Sequence, residues 1–522
     1  MRRRRGAGER DVFGIERVAL VTPEEAAALD AAARDRQGVP ERVLMENAGR
    51  AAALVLDRLH PRGRITVLAG PGNNGGDAVV LARALQLWGR EVRVFTVGSK
   101  PPDPALQHGH ELPIDKFDAA AFPPADTDLF VDGILGTGAR GAPRGDAALA
   151  IEALNASGRP VLALDLPSGV DATSGSVEGE AVRATATVTF GWPKIGLLFQ
   201  PARSRCGRLI AVEIAFPPYA PEGPDSAALI TPDWAAARLP RRPPSAHKGT
   251  AGRLLVLSGT EGMAGAAALA CRAAQRSGTG LIRIASAASN RPVLQSLVPE
   301  ATFIDRTSID PEDAGTMHAV LAGPGIGTDD EARRSLDAVL AVTPGRPVVF
   351  DADALNLFAR DPAALRRVAR DRDVAVTPHP VELSRLTGRP VQEIVGDPPG
   401  AARAAAADFG CVVLLKGQPS IVASPRHPLL VNTAGSSDVA SAGMGDQLSG
   451  VIGAMLAAGL AARDAAAVGL FFSARAADLA ALGRSLSPAD VSAEMHRAFE
   501  FPGRHRSRLA LPFVTFDQPP RR

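Results

Sequence analysis

The chain of 522 residues is too long for one hydrophobic core and fits two domains of ordinary size. With 46% hydrophobic and 22% charged residues it can bury real cores, which excludes a disordered chain. A net charge of +2 makes no electrostatic case for nucleic acid or an anionic membrane as partner. The longest apolar run, Gly450 to Ala462, is too short for a membrane span and reads as a buried helix. Cys206, Cys271 and Cys411 are far apart and show no metal or redox spacing, as expected of a cytoplasmic protein. Of 58 basic residues only Lys100, Lys116, Lys194, Lys248 and Lys416 are lysine, a bias that reserves lysine for places where a compact ammonium serves better than a planar fork. Lys100 and Lys116 read as ordinary loop residues, whereas the other three fall in motifs.

Residues 1–17 open with MRRRRGAGER, which lacks the apolar core of a secretory signal and is expected to be a basic tail or the product of an upstream start. Helices are expected over Glu24 to Arg36, with Thr22 capping ahead of Pro23 and Glu25, and over Val43 to Leu59, which contains LMENAG from Leu44 to Gly49. Ile65 to Ala69 is a buried strand, and Ala78 to Leu87 has helical spacing. Between them lies the glycine-rich stretch of Gly70 to Arg83, GPGNNGGDAVVLAR, at a strand end where ligands bind in open α/β sheets. It is neither GxGxxG nor a GK[ST] loop. Its asparagines and Asp77 suit a cation with a polar ligand, although a turn that merely packs strand on helix would read the same way. Further strands are expected at Glu91 to Val97, Leu129 to Leu135, Pro160 to Leu164, Ala186 to Phe190 and Arg208 to Ile214. Three of their ends carry candidate chemistry: Asp132 with the loop from Gly136, Asp165 with Ser168, and Lys194.

The stretch from Gly70, together with LMENAG, resembles the NAD(P)H-hydrate epimerases, whose motif is GxGNNGGDG; Ala78 replaces the last glycine here. The resemblance runs from Val18 to Phe216. It implies that Asn73, Asn74, Gly75, Gly76 and Asp77, with Gly136, Thr137, Gly138, Ala139, Arg140, Gly141 and Ala142, hold the hydrated nucleotide. It also implies that Asn74, Asp132 and Ser168 ligate a potassium ion, and that Asp165 contacts the substrate and does acid–base work. Lys194 is either catalytic or the charged partner of Asp165.

Ala220 to Pro244 has linker composition, and a boundary is placed near Pro224, giving domains at 18–223 and 247–510 with a linker at 224–246. A second αβ alternation follows: strands Arg253 to Leu257 and Leu281 to Ala285 around a small-residue helix from Gly265 to Arg276, then His318 to Ala322, Val348 to Phe350, Val374 to Val376 and Val412 to Leu415. Their ends read Gly323-Pro-Gly325-Ile-Gly327, Asp351-Ala-Asp353-Ala-Leu-Asn356, Thr377-Pro-His379-Pro-Val-Glu382 and Lys416-Gly417. In Asn432 to Gly450, Gly443-Met-Gly445-Asp446 precedes a helix, where backbone N–H groups can receive a phosphoryl group and a carboxylate can take a proton. A capped helix start, with Asp446 as a dipole partner, is the other reading.

With His247-Lys248-Gly249, these motifs resemble the ADP-dependent NAD(P)H-hydrate dehydratases over Ile230 to Leu482. The resemblance implies a ribokinase-like αβα fold beside an N-terminal Rossmann-like αβα sandwich, both α/β. It implies a bifunctional enzyme that epimerises R- and S-NADHX and NADPHX, then dehydrates the S form with ADP and Mg2+, releasing AMP and phosphate. Asp446 would be the base. Ala266, Gly325, His379 and Asp446 would contact the hydrate, and Lys416, Gly417, Gln418, Pro419, Ser420 and Gly445 would bind the nucleotide. A homo-oligomer is expected. A ribokinase-superfamily small-molecule kinase and a non-catalytic N-terminal protein-binding module are the alternatives. The chain departs from the family pattern GNPGMATGG[ST]GD at Ala442, Met444 and Asp438. Met444 cannot donate a hydrogen bond to phosphate, so restoring Thr there, with Gly at 442, is expected to raise the dehydratase rate.

Overall fold

A computed structural model describes residues 18–99, 103–107, 110–217, 219–500 and 513–515. The basic tail 1–17, Lys100 and residues 501–510 lie outside the described residues. The chain forms two α/β units that divide between Ala220 and Pro221, with Phe513–Thr515 grouped with the first.

The first unit is built on a parallel sheet in the order 208–212, 186–190, 161–164, 129–133, 65–69, 92–96, 114–116, with Phe513–Thr515 antiparallel at the 208–212 edge. Strand Ile65–Ala69 alternates sides. Ile65, Val67 and Ala69 face helices Glu41–Leu59 and Asn73–Leu87, while Leu68 packs with Ile151 and Leu154 of helix Asp146–Ala156. Helices therefore cover both faces, as a parallel sheet buried on two sides requires. From Ile65–Ala69 the chain first builds outward to Val92–Thr96 and then returns to Leu129–Gly133 on the other side. That reversal opens a crevice at the carboxyl end of Ile65–Ala69, where the glycine-rich stretch lies.

Packing explains most of those glycines. A Cβ on Gly75 would overlap the Gly70 carbonyl, and one on Gly76 would strike Met45. Gly49 of LMENAG lets its helix lie directly on Val80 and the Asp77 backbone. Thr22 and Glu25 form the expected capping box. The helix after the glycines starts at Asn73, earlier than the apolar spacing implied, so Asn73 to Asp77 form its first turn. Lys116 lies in strand Ile114–Lys116 and not in a loop.

In the second unit the strands run 227–229, 427–432, 420–424, 412–415, 374–376, 348–350, 319–322, 253–257, 281–286, 302–305. From 412–415 to 302–305 every pairing is parallel. The order reverses at Arg253–Leu257, which lies between 319–322 and 281–286. One face packs Leu254, Val256, Leu321 and Val349 under helices Ala264–Arg276, Met444–Ala457 and Ala462–Ala480. On the other, Phe350 meets Phe358 of helix Asp353–Arg360 edge-on at 4.9 Å. Of the run from Gly450 to Ala462, Gly450 to Ala457 is buried helix, whereas Ala458 to Ala461 form a largely exposed connection to the next helix. Gly450 brings its helix so near Ala264–Arg276 that a Cβ would overlap the Ala270 carbonyl.

The stretch 224–246, expected to be linker, is corrected by the structure. It contains strand Ala227–Leu229, parallel to His427–Asn432, and helix Pro232–Arg238 capped by Thr231. Trp234 is buried in the second unit's core, with the Arg238 guanidinium 4.0 Å from its ring centroid. Prolines and alanines give that stretch its linker-like composition and conceal a short, well-seated segment. Trp234→Ala should destabilise this unit by about 3–5 kcal/mol. Urea unfolding of the whole chain checks it; an unchanged midpoint for the C-terminal transition would return the segment to the status of linker.

Candidate functional site

In the first unit the polar groups converge on the crevice beside Leu135. Asp132, fully buried at the end of Leu129–Gly133, accepts hydrogen bonds from Ser168 Oγ (2.6 Å), Ser168 N (2.8 Å) and Ile134 N (3.2 Å). Ser168 Oγ also accepts from Leu135 N at 2.8 Å. Asn74 donates its Nδ2 to the carbonyls of Leu135 (2.8 Å) and Leu164 (3.1 Å), and its buried Oδ1 has no partner among the described residues. Asn74, Asp132 and Ser168 are thus brought together. Burial raises the Asp132 carboxyl to about 6 despite the Ser168 and Ile134 bonds that lower it.

An orphaned amide oxygen, a buried carboxylate and a hydroxyl form a hard oxygen set, which fits a monovalent cation. Among the described residues there is no group of three or more His, Cys, Asp or Glu that could hold a metal ion.

Asp165 sits just past strand Val161–Leu164 with φ +61, a backbone conformation that a non-glycine residue seldom adopts. Lys194 Nζ donates to Asp165 Oδ1 (2.5 Å), Phe190 O (2.9 Å) and Thr189 Oγ1 (3.3 Å), which occupies all three of its donors. Lys194 is thus a charged partner of Asp165. Asp165 Oδ2 keeps no hydrogen bond among the described residues. Asp77 lies close enough to feel both groups. Burial first, then the like charge of Asp165, hold its carboxyl well above the usual range, with Lys194 opposing.

Gly136 rests against Asn74, whereas Arg140 turns outward, bonding Thr137 O (3.0 Å), Ala139 O (3.3 Å) and Glu24. Gly138 and Gly141 leave room along the loop, and Ala142 lies near Gly179. Asn73 reaches only exposed Glu41, at 3.4 Å.

In the second unit four strand ends and one helix start meet. Helix Met444–Ala457 begins at Gly443, φ +83, with no side-chain cap, and the N–H groups of Gly445 and Asp446 have no partner among the described residues. Asp446 lies in the helix's first turn, inside the helix and not before it. Burial, then the Asp351 charge, raises its carboxyl to about 7; Lys416 opposes this and Asp353 adds to it.

Lys416 Nζ stands 2.9 Å from Asp351 Oδ1 and 3.6 Å from Glu382 Oε2. Burial pulls the ammonium down, but Asp351, Glu382 and Asp446 outweigh it and the net shift is upward. Asp353 Oδ2 accepts from Gly327 N at 3.0 Å and so braces the loop at Gly325, whose missing Cβ would stand 3.2 Å from those of Ala266 and Met263.

His379 is first of all an N-cap. Its Nδ1 accepts from Val381 N (3.2 Å) and Glu382 N (3.3 Å), while Glu382 Oε2 accepts from His379 N (2.9 Å). It reaches the cluster through Glu382. Gly417 to Ser420, with Gln418 and Pro419 between, form a turn closed by the Ser420 hydroxyl on Gly417 N (3.1 Å) and O (2.9 Å). Lys248 is exposed.

Two departures from the family pattern acquire local explanations. Asp438 accepts from Ser436 Oγ at 2.8 Å within a short 3-10 turn, and Met444 packs against the apolar core. The sequence reading quoted Asp351, Asp353 and Glu382 inside motifs but gave them no role. The available signal was that each follows a strand whose neighbours also end in charge.

Two α/β units, each with buried carboxylates and open backbone donors at the carboxyl edge of its sheet, define an enzyme with two centres for a small polar substrate. The family model described as NAD(P)H-hydrate dehydratase matches residues 254–497, and that described as YjeF-related protein N-terminus matches 41–196. The bifunctional NAD(P)H-hydrate repair enzyme of Moorella thermoacetica is 35% identical over 499 residues, covering 89% of this chain and 93% of that one. Its counterpart from Escherichia coli K12 is 34% identical, covering 86% and 87%. The solved structure of the ADP/ATP-dependent NAD(P)H-hydrate dehydratase from Bacillus subtilis, co-crystallised with ATP/Mg2+, is 29% identical, with a TM-score of 0.45 over 51% of this chain and 95% of that one. The chain belongs to the family of bifunctional NAD(P)H-hydrate repair enzymes. It is accordingly an enzyme of nicotinamide-nucleotide repair, with an epimerase and a dehydratase activity.

Asp132 sets a test that does not depend on activity. A carboxyl whose folded value is raised from 3.8 to about 6 binds its proton more tightly when folded, so stability falls as pH rises through that window. A cation that pairs with the carboxylate offsets this loss only where the carboxylate is ionised. Potassium chloride in place of choline chloride should therefore raise the first unit's melting temperature by about 2–4 °C near pH 7.5 and by much less near pH 5. Equal melting curves in the two salts at both pH values would remove the cation from Asp132.

Proposed function

We propose that the first unit interconverts the R and S epimers of NADHX and NADPHX, with Asp165 as the acid–base group. Lys194 holds its Oδ1 at the crevice and Oδ2 is left without a partner among the described residues, which supports that role. The loop from Gly136 to Ala142 and the turn from Asn73 to Asp77 hold the substrate. Potassium would be held by Asn74, Asp132 and Ser168 and would supply a fixed positive charge that offsets Asp132.

In the second unit, Asp446 takes the proton of the ring hydroxyl as that oxygen attacks the β-phosphorus of ADP, and AMP leaves. The free N–H groups at Gly445 and Asp446 receive the transferring phosphoryl group. Hydroxide is a poor leaving group and phosphate a good one. The ring nitrogen's lone pair expels phosphate, and a proton lost from the adjacent carbon restores the dihydronicotinamide.

The site at Lys416, Gly417, Gln418, Pro419, Ser420 and Gly445 takes the nucleotide, and Ala266, Gly325 and His379 line the hydrate. Magnesium would come with the nucleotide's phosphates. Lys416 already engages Asp351 and Glu382, and few-carboxylate, phosphate-borne binding is Mg2+'s habit.

The observation that carries this reading is a carboxyl raised to about 7 beside unpartnered N–H groups at a helix start, the condition for proton transfer at neutral pH. Asp446→Asn should lower ADP-dependent recovery of NADH absorbance by roughly 10²–10⁴-fold and leave epimerisation intact. A mutant keeping more than about a tenth of the wild-type rate would exclude Asp446 as the base.

A further inference from the structure

The resemblance assigns Lys416 to the nucleotide, yet the structure turns its ammonium toward two carboxylates, Asp351 and Glu382, beside the start of the helix that carries Asp446. Lys416 ends strand Val412–Leu415, and its backbone N donates to Pro378 O at 2.8 Å, which ties it to the neighbouring strand end. Its Nζ lies 2.9 Å from Asp351 Oδ1 and 3.6 Å from Glu382 Oε2. Glu382 is itself held by the His379 backbone N–H at 2.9 Å, and Asp351 is almost wholly buried, so neither acceptor is free to follow the ammonium elsewhere. A Cβ built on Gly445 would stand 3.5 Å from Nζ and 3.6 Å from Asp351 Oδ2. The ion pair therefore lies at contact distance from the residue that precedes Asp446.

The charges around Asp446 are unbalanced. Asp351 and Asp353 oppose its ionisation, and Lys416 is the cation acting on it. Helices 264–276, 462–480 and 488–499 pack on the same helix and carry Arg272, Arg276, Arg463, Asp464, Arg475, Asp478, Asp490, Glu494, His496 and Arg497; the charges that shift Asp446 come from Asp351, Lys416 and Asp353, at the strand ends.

We propose that Lys416 is a positioning residue for the dehydratase: its ammonium, fixed by Asp351 and Glu382, compensates those carboxylates so that Asp446 can be ionised to receive the substrate proton. The proposal rests on Asp446 being the base. It makes a distinction that nucleotide binding does not. A lysine that only holds ADP changes the KM for ADP, whereas a lysine that supports Asp446 changes the pH at which turnover begins.

The measurement is kcat for NADH recovery from S-NADHX at saturating ADP, across about pH 5.5–9. Wild type should show an acid limb near 7. In Lys416→Met that limb should move up by about one pH unit or more, since a compensating charge at close range is gone. Lys416→Arg, which keeps the charge, should return it toward wild type. Asp351→Asn should move it the opposite way, to lower pH.

A Lys416→Met enzyme with a raised KM for ADP and an unmoved limb would overturn the proposal and leave Lys416 a nucleotide ligand. If Lys416→Met does not fold, Asp351→Asn decides: a limb that stays or rises overturns the proposal. Asp446→Asn separates the two failures. If it stays active, the base assignment falls and this proposal with it. If it is dead while the limb of Lys416→Met is unmoved, only the role given to Lys416 falls.

Discussion

Buried carboxylates at the carboxyl ends of parallel strands are the constraint on which both units depend. Asp132, Asp165 and Asp351 each stand where a strand stops, with little water to carry their charge. An ionised carboxyl in such a place is costly unless hydrogen bonds or a cation meet it. Each of the three is met differently: Asp132 by the Ser168 hydroxyl and two N–H groups, Asp165 by Lys194, and Asp351 by Lys416. The first solution leaves Asp132 raised and open to a cation, and the others build the charge balance into the chain. A second carboxylate stands beside two of these pairs, Asp77 by Asp165 with Lys194 and Asp446 by Asp351 with Lys416, and is held above its ordinary range.

The lysine economy of the sequence takes on a physical meaning in this light. Lys194 occupies a site that needs one compact cation donating in three directions, where a planar guanidinium would not fit, and Lys416 sets a single ammonium between the carboxylates of Asp351 and Glu382. Scarcity was a true signal there. It was no guide at Lys248, which is exposed, or at Lys116, which closes a short strand.

Much of the fold was legible because its central strands are short runs of Val, Ile, Leu, Ala and Phe, buried on both faces and stopped by glycine or charge. Ala186–Phe190, Arg253–Leu257, Val348–Phe350 and Val374–Val376 fall where those runs predict. The hairpin Ser420–Ser424 and His427–Asn432, strand Thr302–Asp305 and the segment around Trp234 did not announce themselves. They lie toward the flanks of the sheet and carry Ser, His, Thr and Asp; the hairpin strands pair with each other, and 227–229 takes its partner 427–432 from far away in sequence. The sites divide along the same line. Motif residues could be pointed to in advance, but whether His379 caps a helix or Lys194 serves Asp165 is a matter of which atoms meet, and spacing does not carry that.

The approach of helix Met444–Ala457 to helix Ala264–Arg276 has one more consequence. At Gly450 the two touch through main chain, with no side chain between Gly450 and the Ala270 carbonyl. Height and pitch of the helix that carries Asp446 are thus set by backbone thickness, a quantity that substitution elsewhere does not change. Side chains near the helix start can drift, as Ala442 and Met444 have relative to the family pattern, and the carboxylate keeps its register over the sheet. The latitude for sequence divergence lies at the mouth of the site, while its depth is held by a spacer one atom row thick.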